Sequence, residues 1–448
     1  MADDPLDAPF AGRALHFIGI GGAGMSGLAL VARQLGASVT GSDQAESAYC
    51  ARLREAGIEP LIGHDAANVP DGADVVVSTA IPDDNPELAG ARASTATVLH
   101  RGDLLGELSR MKRTIAVSGT HGKTTTASMA ALALLETGRE PAFVIGGELR
   151  AAGTNAAWGA GEWAVIEADE SDRSFLKLAR EVAVVTNVEL DHHATYAGLP
   201  ELEEAFAEFA APASVRVLGP GVELPGDGEL VTFGLEGGAV RAHDVVLGPG
   251  SSRFRVGEVQ VELSVPGEHN VLNALAALAA LGAAGVPVEE AAPALARFSG
   301  AGRRFESHGR TASGAEVYDD YAHHPTEVAA TLAGARSFEP RRLVACFQPH
   351  LYSRTRMLAR EFGRALALAD LVVVLDVYRA RERPEDFPGV SGYLVAEAAA
   401  DAAGGRPVWW LPTVDDAERG LRGELGEGDL VVTIGAGDVD ELARRLTA

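Results

Sequence analysis

Residues 116–129 of the chain, AVSGTHGKTTTASM, combine residue types that bind phosphate. An apolar run leads into GTHGKT at residues 119–124, the phosphate loop, and apolar residues at three-residue spacing then predict a helix. A loop between a strand and a helix directs backbone amides and the positive helix end at an anion. The Lys123 ammonium would reach the outer phosphates of a nucleotide, and the Thr124 hydroxyl would ligate Mg²⁺. Because Val117 replaces the first glycine of the usual pattern, we predict a shortened nucleotide-binding loop.

Carboxylates and histidines follow two further apolar runs. The run in WAVIEADESD ends at Glu167 and Asp169, and either carboxylate beside a phosphate loop would suit Mg²⁺, which takes oxygen ligands. The alternative for this segment is a solvated acidic loop. The run in VAVVTNVELDHH is followed by Asp191, His192 and His193. Since these residues would leave the same edge of a parallel sheet, we predict that both groups lie near the phosphate loop.

A glycine turn at residues 19–24, GIGGAG, follows the strand-like run LHFI. Asp43 stands at the end of the next strand-like run, a spacing typical of dinucleotide-binding folds. By itself the pattern would suggest an NAD-dependent oxidoreductase. Any ligand with a diphosphate can use the same helix N-terminus, however, and the phosphate loop elsewhere in the chain favours a non-redox diphosphate such as a UDP-sugar.

Two more segments, DDYAHHPTE at residues 319–327 and FQPHLYSRTR at residues 347–356, lie at predicted strand-to-helix transitions. Together they carry a set of histidines and arginines: His323, His324, His350, Arg354 and Arg356. These side chains could hold a carboxylate or a transferring phosphate. From the pattern alone, solvated loop ends are an equal alternative.

Composition restricts the class of protein. The chain has 448 residues, 52 of them glycine, and many short Val/Ile runs, which indicates several α/β domains. Its formal charge of −25 disfavours nucleic acid and anionic membrane surfaces as partners, so an anionic ligand must be held by local donors. Only three of the 38 basic residues are lysines (Lys112, Lys123 and Lys177), and one of them falls in the phosphate loop.

Three features favour a cytoplasmic protein. The two cysteines, Cys50 and Cys346, predict no disulfide framework. Residues 1–12 are acidic and lack the basic and apolar regions of a signal peptide. The longest apolar tract, residues 271–288, contains Asn273 and two glycines, and we interpret it as a buried helix because a membrane span needs about 20 predominantly apolar residues.

Taken together, the motifs closely resemble the Mur ligase family. They occur in the family's order over almost the whole chain: GIGGAGMSGLA, GTHGKTTT, EADESD, TNVELDH, EHNVLNALAAL, GRRF, DDYAHHPTEV and FQPHLYSRTR. The resemblance implies an α/β ligase of three domains. A Rossmann-like domain at residues 1–111 would bind the UDP substrate, a P-loop domain at 112–299 would bind ATP, and a Rossmann-like domain at 300–448 would receive the amino acid and close.

The family's chemistry is ATP-dependent amide formation in peptidoglycan synthesis. The resemblance implies that the carboxylate of UDP-N-acetylmuramate attacks the γ-phosphate of ATP–Mg²⁺ to give an acyl phosphate, and that the amine of L-alanine then displaces phosphate. Family members that add later residues use a carbamylated lysine beyond the DH histidine. This chain has no lysine after Lys177, which favours the first, alanine-adding step. The alternatives are a murein tripeptide ligase of recycling, an NAD-dependent oxidoreductase and a catalytically silent nucleotide-binding regulator.

Matching the family's motifs onto this chain implies a set of site residues. ATP phosphates would be bound by Gly119, Thr120, His121, Gly122, Lys123, Thr124 and Thr125. The rest of ATP would contact His269, Asn270, Asn273, Arg304 and Asp320. Mg²⁺ would be held by Thr124, Glu167 and His192. The UDP diphosphate would face Gly19, Gly21, Gly22, Ala23, Gly24 and Asp43. The substrate carboxylate and alanine would meet His323, His350 and Arg354. The residues implied in catalysis are Lys123, Glu167, His192, His323 and Arg354.

Two positions depart from the family's pattern. After the DH dipeptide the family commonly continues with Met-Asp, whereas this chain has His193 and Ala194. The family often has arginine where Leu351 stands. The first departure removes or moves any role of the aspartate, and the second puts one substrate contact in doubt.

Overall fold

A computed structural model describes residues 8–193, 195–380 and 382–448. Residues 1–7, which are most of the acidic N-terminal segment predicted to lack a signal peptide, and Ala194 lie outside the described residues. The chain forms two compact units. The first contains the residues up to 241 together with 273–294, and the second contains 242–272 together with 295–448.

The N-terminal part of the first unit is a parallel sheet of five strands in the order β3-β2-β1-β4-β5. The strands are β1 (Ala14–Ile18), β2 (Ser38–Asp43), β3 (Leu61–Ile62), β4 (Asp74–Val77) and β5 (Val98–His100). The helices are α1 (Ala23–Gln34), α2 (Ala48–Glu55), α3 (Pro86–Ala93) and α4 (Arg101–Ser109). The glycine turn joins β1 to α1, as the sequence predicts.

A second sheet fills the rest of the first unit in the order β12-β11-β10-β6-β9-β7-β8. Its strands are β6 (Arg113–Ser118), β7 (Ala142–Leu149), β8 (Thr154–Ala157), β9 (Trp163–Glu167), β10 (Val182–Val185), β11 (Val215–Leu218) and β12 (Glu229–Gly234). Only β8 among these runs antiparallel to its neighbour. Two helices accompany the sheet, α5 (Lys123–Glu136) and α6 (Leu199–Ala210). The inner strands β6, β9 and β10 are almost continuously apolar because helices cover both faces of a parallel sheet.

The two sheets of the first unit share an apolar core. Helix α1 has buried residues along most of its length, and it packs against Val144 on β7 and Ala156 on β8. Further along the second sheet, Phe175 and Phe209 stack with ring centroids 5.0 Å apart. The UDP-site and ATP-site candidates of residues 19–24 and 119–124 therefore belong to one compact unit.

The second unit contains a sheet in the order β16-β17-β21-β18-β19-β20, parallel except for β16. Three strands precede this sheet along the chain and form an antiparallel ribbon: β13 (Val240–Gly248), β14 (Ser251–Val256) and β15 (Val259–Leu263). The sheet itself comprises β16 (Glu306–Arg310), β17 (Glu316–Asp320), β18 (Arg342–Phe347), β19 (Leu371–Val374), β20 (Val408–Trp410) and β21 (Asp429–Ile434).

Helices complete both units. The boundary between the units runs through α7 (Glu268–Ala283) and α8 (Val288–Ala296). Around the last sheet lie α9 (Pro325–Arg336), α10 (Tyr352–Leu366), α11 (Tyr393–Ala402), α12 (Val414–Arg422) and α13 (Asp440–Thr447). Two apolar clusters, one containing Phe347 and Phe362 and the other Leu421 and Leu442, bury the sheet between these helices. The predicted α/β class is confirmed.

The apolar tract at residues 271–288 forms most of α7, and its leucines Leu275 and Leu278 are buried, as expected for a core helix. Within residues 8–193, 195–380 and 382–448, no helix combines the length and the apolar character needed to cross a membrane.

The close approach of α10 and α11 depends on Gly363. A methyl group at Gly363 would lie 2.5 Å from the carbonyl carbon of Ala398 and 2.7 Å from the nitrogen of Ala399. Gly363→Ala must push the helices apart, and we expect it to lower the free energy of unfolding by about 1–3 kcal/mol. Gly282→Ala is the matched control, since a methyl group on this exposed helical glycine would have no neighbouring atom within 4 Å. Alanine there should raise the free energy of unfolding by up to about 1 kcal/mol. Equal thermal midpoints of the two variants would contradict this packing.

Candidate nucleotide-binding site

The phosphate loop leaves β6 at the carboxyl edge of the second sheet and enters α5 at Lys123. Two glycines permit this path. Gly119 has φ +129° and Gly122 has φ +81°, and a methyl group on them would collide with Thr186 and Asn273 respectively. Helix α5 therefore begins directly at the loop, and its N-cap Gly122 supplies no side-chain oxygen to cap the first amides.

The chain that follows β10 holds the phosphate loop in place. The Thr120 hydroxyl donates to the carbonyl of Glu189 at 2.9 Å and accepts from the Glu189 amide at 2.8 Å. The His121 amide donates to Oδ1 of Asn187 at 2.9 Å, and the Thr186 hydroxyl donates to the His121 carbonyl at 2.5 Å. The backbone of the loop is thus held by the protein's own hydrogen bonds, which is the preorganisation that an anion site needs.

Lys123 is held in a ring of oxygen acceptors. Its ammonium donates to the carbonyls of Gly119 at 2.7 Å and Thr120 at 3.2 Å, and it lies 2.9 Å from the carboxylate of Glu170. The Glu170 side chain is fully buried. Burial alone would lower the pKa of Lys123, but the negative charges of Glu170 and Asp169 outweigh it and raise the pKa above its ordinary value. Lys123 therefore keeps its charge at neutral pH.

The residues EADESD at 167–172, the acidic loop, follow β9. Thr124 donates its hydroxyl to Oε1 of Glu167 at 2.9 Å, and the Gly146 amide donates to Oε2 of the same carboxylate at 2.6 Å. Asp169 points elsewhere, because its Oδ2 accepts from Arg101 at 2.7 Å. Of the two carboxylates that the sequence left open as metal ligands, Glu167 is the one beside Thr124.

His192 follows β10 and has a left-handed backbone conformation with φ +54°. Its Nε2 is 3.1 Å from Oε1 of Glu170. Burial would lower the pKa of the imidazole, but the hydrogen bond and charge of Glu170 raise it above the ordinary histidine value. Asp191 is buried, and its Oδ1 accepts from the His192 amide at 2.7 Å. Of the strand-end residues expected near the phosphate loop, Glu167 contacts Thr124, and Asp169 and His192 lie close enough to Lys123 for their charges to interact.

The donor set fits Mg²⁺. Thr124 and Glu167 offer a hydroxyl and a carboxylate oxygen 2.9 Å apart, and oxygen is the ligand type that this ion prefers. In this structure the Nε2 of His192 faces the Glu170 carboxylate, which also accepts from the Lys123 ammonium. Thr124 and Glu167 are therefore the pair whose oxygens already lie together at the phosphate loop.

Sequence reasoning missed Glu170 and Asn187. Glu170 was part of the quoted motif but received no role, although it contacts both Lys123 and His192. The available signal was that Glu170 follows a strand predicted to end beside the phosphate loop. The direction of a side chain in a loop, however, does not follow from the alternation of side chains along a strand. Asn187 is the second residue after β10 and had no signal beyond its place near the strand end.

The glycine turn binds its own acidic residue. Asp43, at the end of β2, accepts from the Gly21 amide at 2.9 Å through Oδ2. The carbonyl of Gly21 accepts from the Ser47 hydroxyl at 2.8 Å. Helix α1 begins at Ala23, so the last two residues of the glycine turn are its first two, and Gly22 is its N-cap. The predicted strand–turn–helix arrangement is present, with the Asp43 carboxylate engaged by the turn itself.

The residues implied to contact the rest of ATP are divided between the units. Asn273 lies in the first unit, where its Oδ1 is 3.4 Å from the hydroxyl of Thr126 on α5. His269 lies in the second unit, and burial lowers the pKa of its imidazole to about 4. Asn270 of the same unit donates its side-chain amide to the carbonyl of Pro266 at 2.7 Å.

Arg304 and Asp320 both belong to the second unit. Asp320 ends β17 and accepts from the amides of Phe305 and Ala322, each at 2.8 Å. Burial raises the pKa of the Asp320 carboxyl to about 6. Nη1 of Arg304 lies 3.8 Å from Oε1 of Glu327.

Three members of the predicted histidine–arginine cluster, His323, His350 and Arg354, lie together beyond the carboxyl ends of β17 and β18. Of the other two, His324 is the N-cap of α9 and Arg356 lies over the Phe387 ring. The rings of His323 and His350 have centroids 6.1 Å apart, and Nη1 of Arg354 lies 3.2 Å from Nδ1 of His350. Tyr378, which sequence reasoning missed, stacks on His350 with centroids 5.8 Å apart. Leu351 has φ +71°, a strained conformation for a side chain of its size, and its amide donates to the carbonyl of Tyr378 at 3.0 Å.

Comparison with known proteins identifies the family. Three family models match successive parts of the chain: the Mur ligase family catalytic domain at residues 14–113, the Mur ligase middle domain at 117–281, and the Mur ligase glutamate ligase domain at 303–437.

Similar proteins match over nearly the full length. The chain is 48% identical to the UDP-N-acetylmuramate–L-alanine ligase of Streptomyces coelicolor over 96% of both sequences. The crystal structure of UDP-N-acetylmuramate-alanine ligase from Thermotoga maritima matches with a TM-score of 0.83 at 31% identity, covering 97% of this chain and 98% of that one. The crystal structure of a murein peptide ligase from Psychrobacter arcticus matches with a TM-score of 0.74 at 25% identity and the same coverage.

The contact between Glu170 and His192 generates a prediction. Glu170→Gln keeps the shape of the side chain but removes the charge that raises the pKa of His192, so burial should then dominate and the pKa should fall below the ordinary histidine value. Histidine titration by NMR on the Mg²⁺-free protein measures this change. Glu203→Gln, an exposed change on α6, is the control and should leave the titration unaltered. An unchanged His192 titration in Glu170→Gln would contradict the assigned pairing.

Proposed function

The chain belongs to the Mur ligase family, and on that premise we propose that it joins L-alanine to UDP-N-acetylmuramate in an ATP-dependent step of peptidoglycan synthesis. The observation that carries the proposal is the phosphate loop, in which charged Lys123 and the Thr124–Glu167 pair lie at one sheet edge in a chain with near full-length likeness to alanine-adding ligases. The enzyme is a ligase that forms an amide between an acid and an amino acid.

Each part of the chain has a proposed task. Residues 1–111 bind the UDP substrate, and the glycine turn supports this because it presents the N-terminus of α1 to a diphosphate. Residues 112–299 bind ATP through the phosphate loop. Residues 300–448 bind the amino acid and close over the substrates, with His323, His350 and Arg354 as the groups for carboxylates.

At the ATP site, the residues of the chain act mainly by position and charge. The amides of residues 119–125 and the N-terminus of α5 bind the β- and γ-phosphates, and Lys123 places a fixed positive charge against the outer oxygens. Thr124, Glu167 and His192 would hold Mg²⁺, which neutralises phosphate charge when it is bound. Asn273, His269, Asn270, Arg304 and Asp320 contact the rest of ATP.

The reaction requires two displacements. An oxygen of the substrate carboxylate bonds to the γ-phosphorus of ATP, and the bond to ADP breaks. The amine of L-alanine then attacks the acyl phosphate carbon, and phosphate leaves with the former carboxylate oxygen. A carboxylate is a poor electrophile until its oxygen becomes part of such a leaving group, so the consumption of ATP is the chemical reason for the phosphate loop.

Two alternatives predict different chemistry. A murein tripeptide ligase would take the same UDP substrate, but the structural likeness is greater to the alanine-adding ligase than to the murein peptide ligase. An NAD-dependent oxidoreductase would need only the glycine turn at residues 19–24, and it would leave the phosphate loop with Lys123 and Glu167 without a role. The nucleotide substrates and the two buried free thiols, Cys50 and Cys346, support a cytoplasmic location.

The first test is phosphate release from ATP–Mg²⁺ in the presence of UDP-N-acetylmuramate. We expect release with L-alanine and background rates with D-glutamate or with the murein tripeptide, measured by a coupled phosphate assay. Release only with the tripeptide would move the protein to recycling, and no release with any acceptor would exclude the ligase assignment.

A variant links this assay to the phosphate loop. Lys123→Ala should reduce phosphate release at least 1000-fold, because the charge facing the transferred phosphate is lost. Lys112→Ala removes a lysine that lies over the Trp158 ring instead, and it should retain the wild-type rate. Near-normal activity in Lys123→Ala would overturn the role of the loop.

Glu167 is tested by the metal requirement. Glu167→Ala should raise the Mg²⁺ concentration for half-maximal activity at least tenfold, because it removes a carboxylate oxygen beside Thr124. Glu162→Ala is the matched control, since this exposed carboxylate lies just before the other end of the same strand. Identical Mg²⁺ titrations of the two variants would remove Glu167 from the metal site.

A further inference from the structure

Arg101 is the first residue of α4, and the structure fixes its backbone closely. The His100 side chain accepts from the Gly102 amide at 3.1 Å, and Asp103 accepts from the His100 amide at 3.0 Å, which forms a capping box. A methyl group on Gly102 would lie 2.6 Å from Cβ of Ser174, so α4 lies directly against the chain that follows the acidic loop. The start of α4 and the acidic loop are thus held at contact distance.

The Arg101 guanidinium connects three pieces of the first unit. Its Nη2 donates to Asp169 at 2.7 Å and to Asp172 at 3.1 Å. Its Nη1 lies 3.3 Å from the place where a methyl group on Gly24 would stand, in the first turn of α1. The Asp172 carboxylate also accepts from the Thr79 hydroxyl at 3.3 Å. One side chain therefore touches both the acidic loop and the end of the glycine turn.

The acidic loop needs such a cation. It carries four carboxylates in six residues, and carboxylates at this spacing repel one another at low effective dielectric. Glu167 and Glu170 face the phosphate loop, where Thr124 and Lys123 receive them. Asp169 and Asp172 accept hydrogen bonds from Arg101 instead, so the guanidinium balances the two other carboxylates of the acidic loop.

A purely structural ion pair is the simpler interpretation, and the same unit contains examples of one. Arg52 pairs with Glu148, and Lys177 pairs with Asp103 at 2.6 Å, and both pairs join the N-terminal sheet region to the second sheet region. Neither pair touches the acidic loop. Arg101 differs because its partner Asp169 lies between two residues that hold the phosphate loop.

The geometry points to Arg101 as a positioning residue that orders the acidic loop for ATP–Mg²⁺ and ties it to the glycine turn that faces the UDP substrate. This inference rests on the proposed function for the identity of the substrates. Arg101 touches neither Thr124 nor Lys123 in the described contacts, and it acts through Asp169 and Asp172. Its loss would free the acidic loop and weaken nucleotide binding in the presence of Mg²⁺.

The test uses the full-length protein and AMP-PNP with Mg²⁺ as the probe, with affinity measured by calorimetry. Arg101→Met should weaken binding at least fivefold and raise the Mg²⁺ concentration for half-maximal binding at least threefold. Arg101→Lys keeps the charge but replaces the planar guanidinium by a compact ammonium, so it should recover part of the affinity. Arg52→Met, which removes an ion pair between the same two regions, should bind within twofold of the wild type.

Turnover supplies the second measurement. In the alanine-dependent phosphate assay, Arg101→Met should lower kcat at least tenfold and leave the KM for L-alanine within twofold, since the proposed amino-acid site lies in residues 300–448. A general loss of folding would instead lower the active fraction and the thermal midpoint together. Circular dichroism and the thermal midpoint show whether each variant is folded. If Arg101→Met folds poorly, the binding and turnover of folded Arg101→Lys decide the test.

The outcomes separate this inference from the proposed function. If the wild type shows no alanine-dependent phosphate release, the proposed function fails, while the AMP-PNP titrations still decide the role of Arg101. If both Arg101 variants bind AMP-PNP and respond to Mg²⁺ as Arg52→Met does, the positioning role is overturned whatever the reaction. Weaker binding with an unchanged Mg²⁺ dependence and no recovery in Arg101→Lys would also overturn it.

Discussion

Lys123 is a cation placed inside the protein before any nucleotide arrives, and its surroundings are built to keep it charged. Removing an ammonium from water is costly unless an opposite charge and hydrogen bonds replace the solvent. Fully buried Glu170 supplies the charge, and the carbonyls of Gly119 and Thr120 supply acceptors. The result is a phosphate-binding group that is oriented and protonated in advance, which reduces the reorganisation required when ATP binds.

Burying one charge imposes conditions on its neighbours. Glu170 also receives His192, and its loop carries Glu167 toward Thr124 and Asp169 toward Arg101. Each of these contacts limits where the others can lie, because a buried carboxylate without a partner would be expensive. The site is therefore a network of alternating charges rather than a set of independent residues, and the effect of removing one member depends on the partners that it leaves behind.

Parallel topology explains why these residues can meet at all. Strand β6 lies between β9 and β10, and all three run in the same direction. Their carboxyl ends reach one edge together, so the phosphate loop, the acidic loop and the chain after β10 emerge side by side. The second unit repeats this device at β17 and β18, which flank β21, and Asp320, His323 and His350 follow their carboxyl ends at one edge of a mostly parallel sheet. The Mur ligase family thus concentrates chemistry at strand ends while apolar strands provide the support.

The sequence by itself determined the α/β class, the phosphate loop and the strand ends that carry carboxylates and histidines, because apolar periodicity and glycine spacing are local properties of the chain. It also identified the family through the order of its motifs. Only the tertiary structure decided that Glu167 meets Thr124, that Glu170 rather than Asp169 receives Lys123, and that Arg101 receives Asp169. Beyond the end of a strand the alternation of side chains stops, and the direction of each carboxylate is then set by hydrogen-bond donors that lie 43 to 68 positions away in the chain.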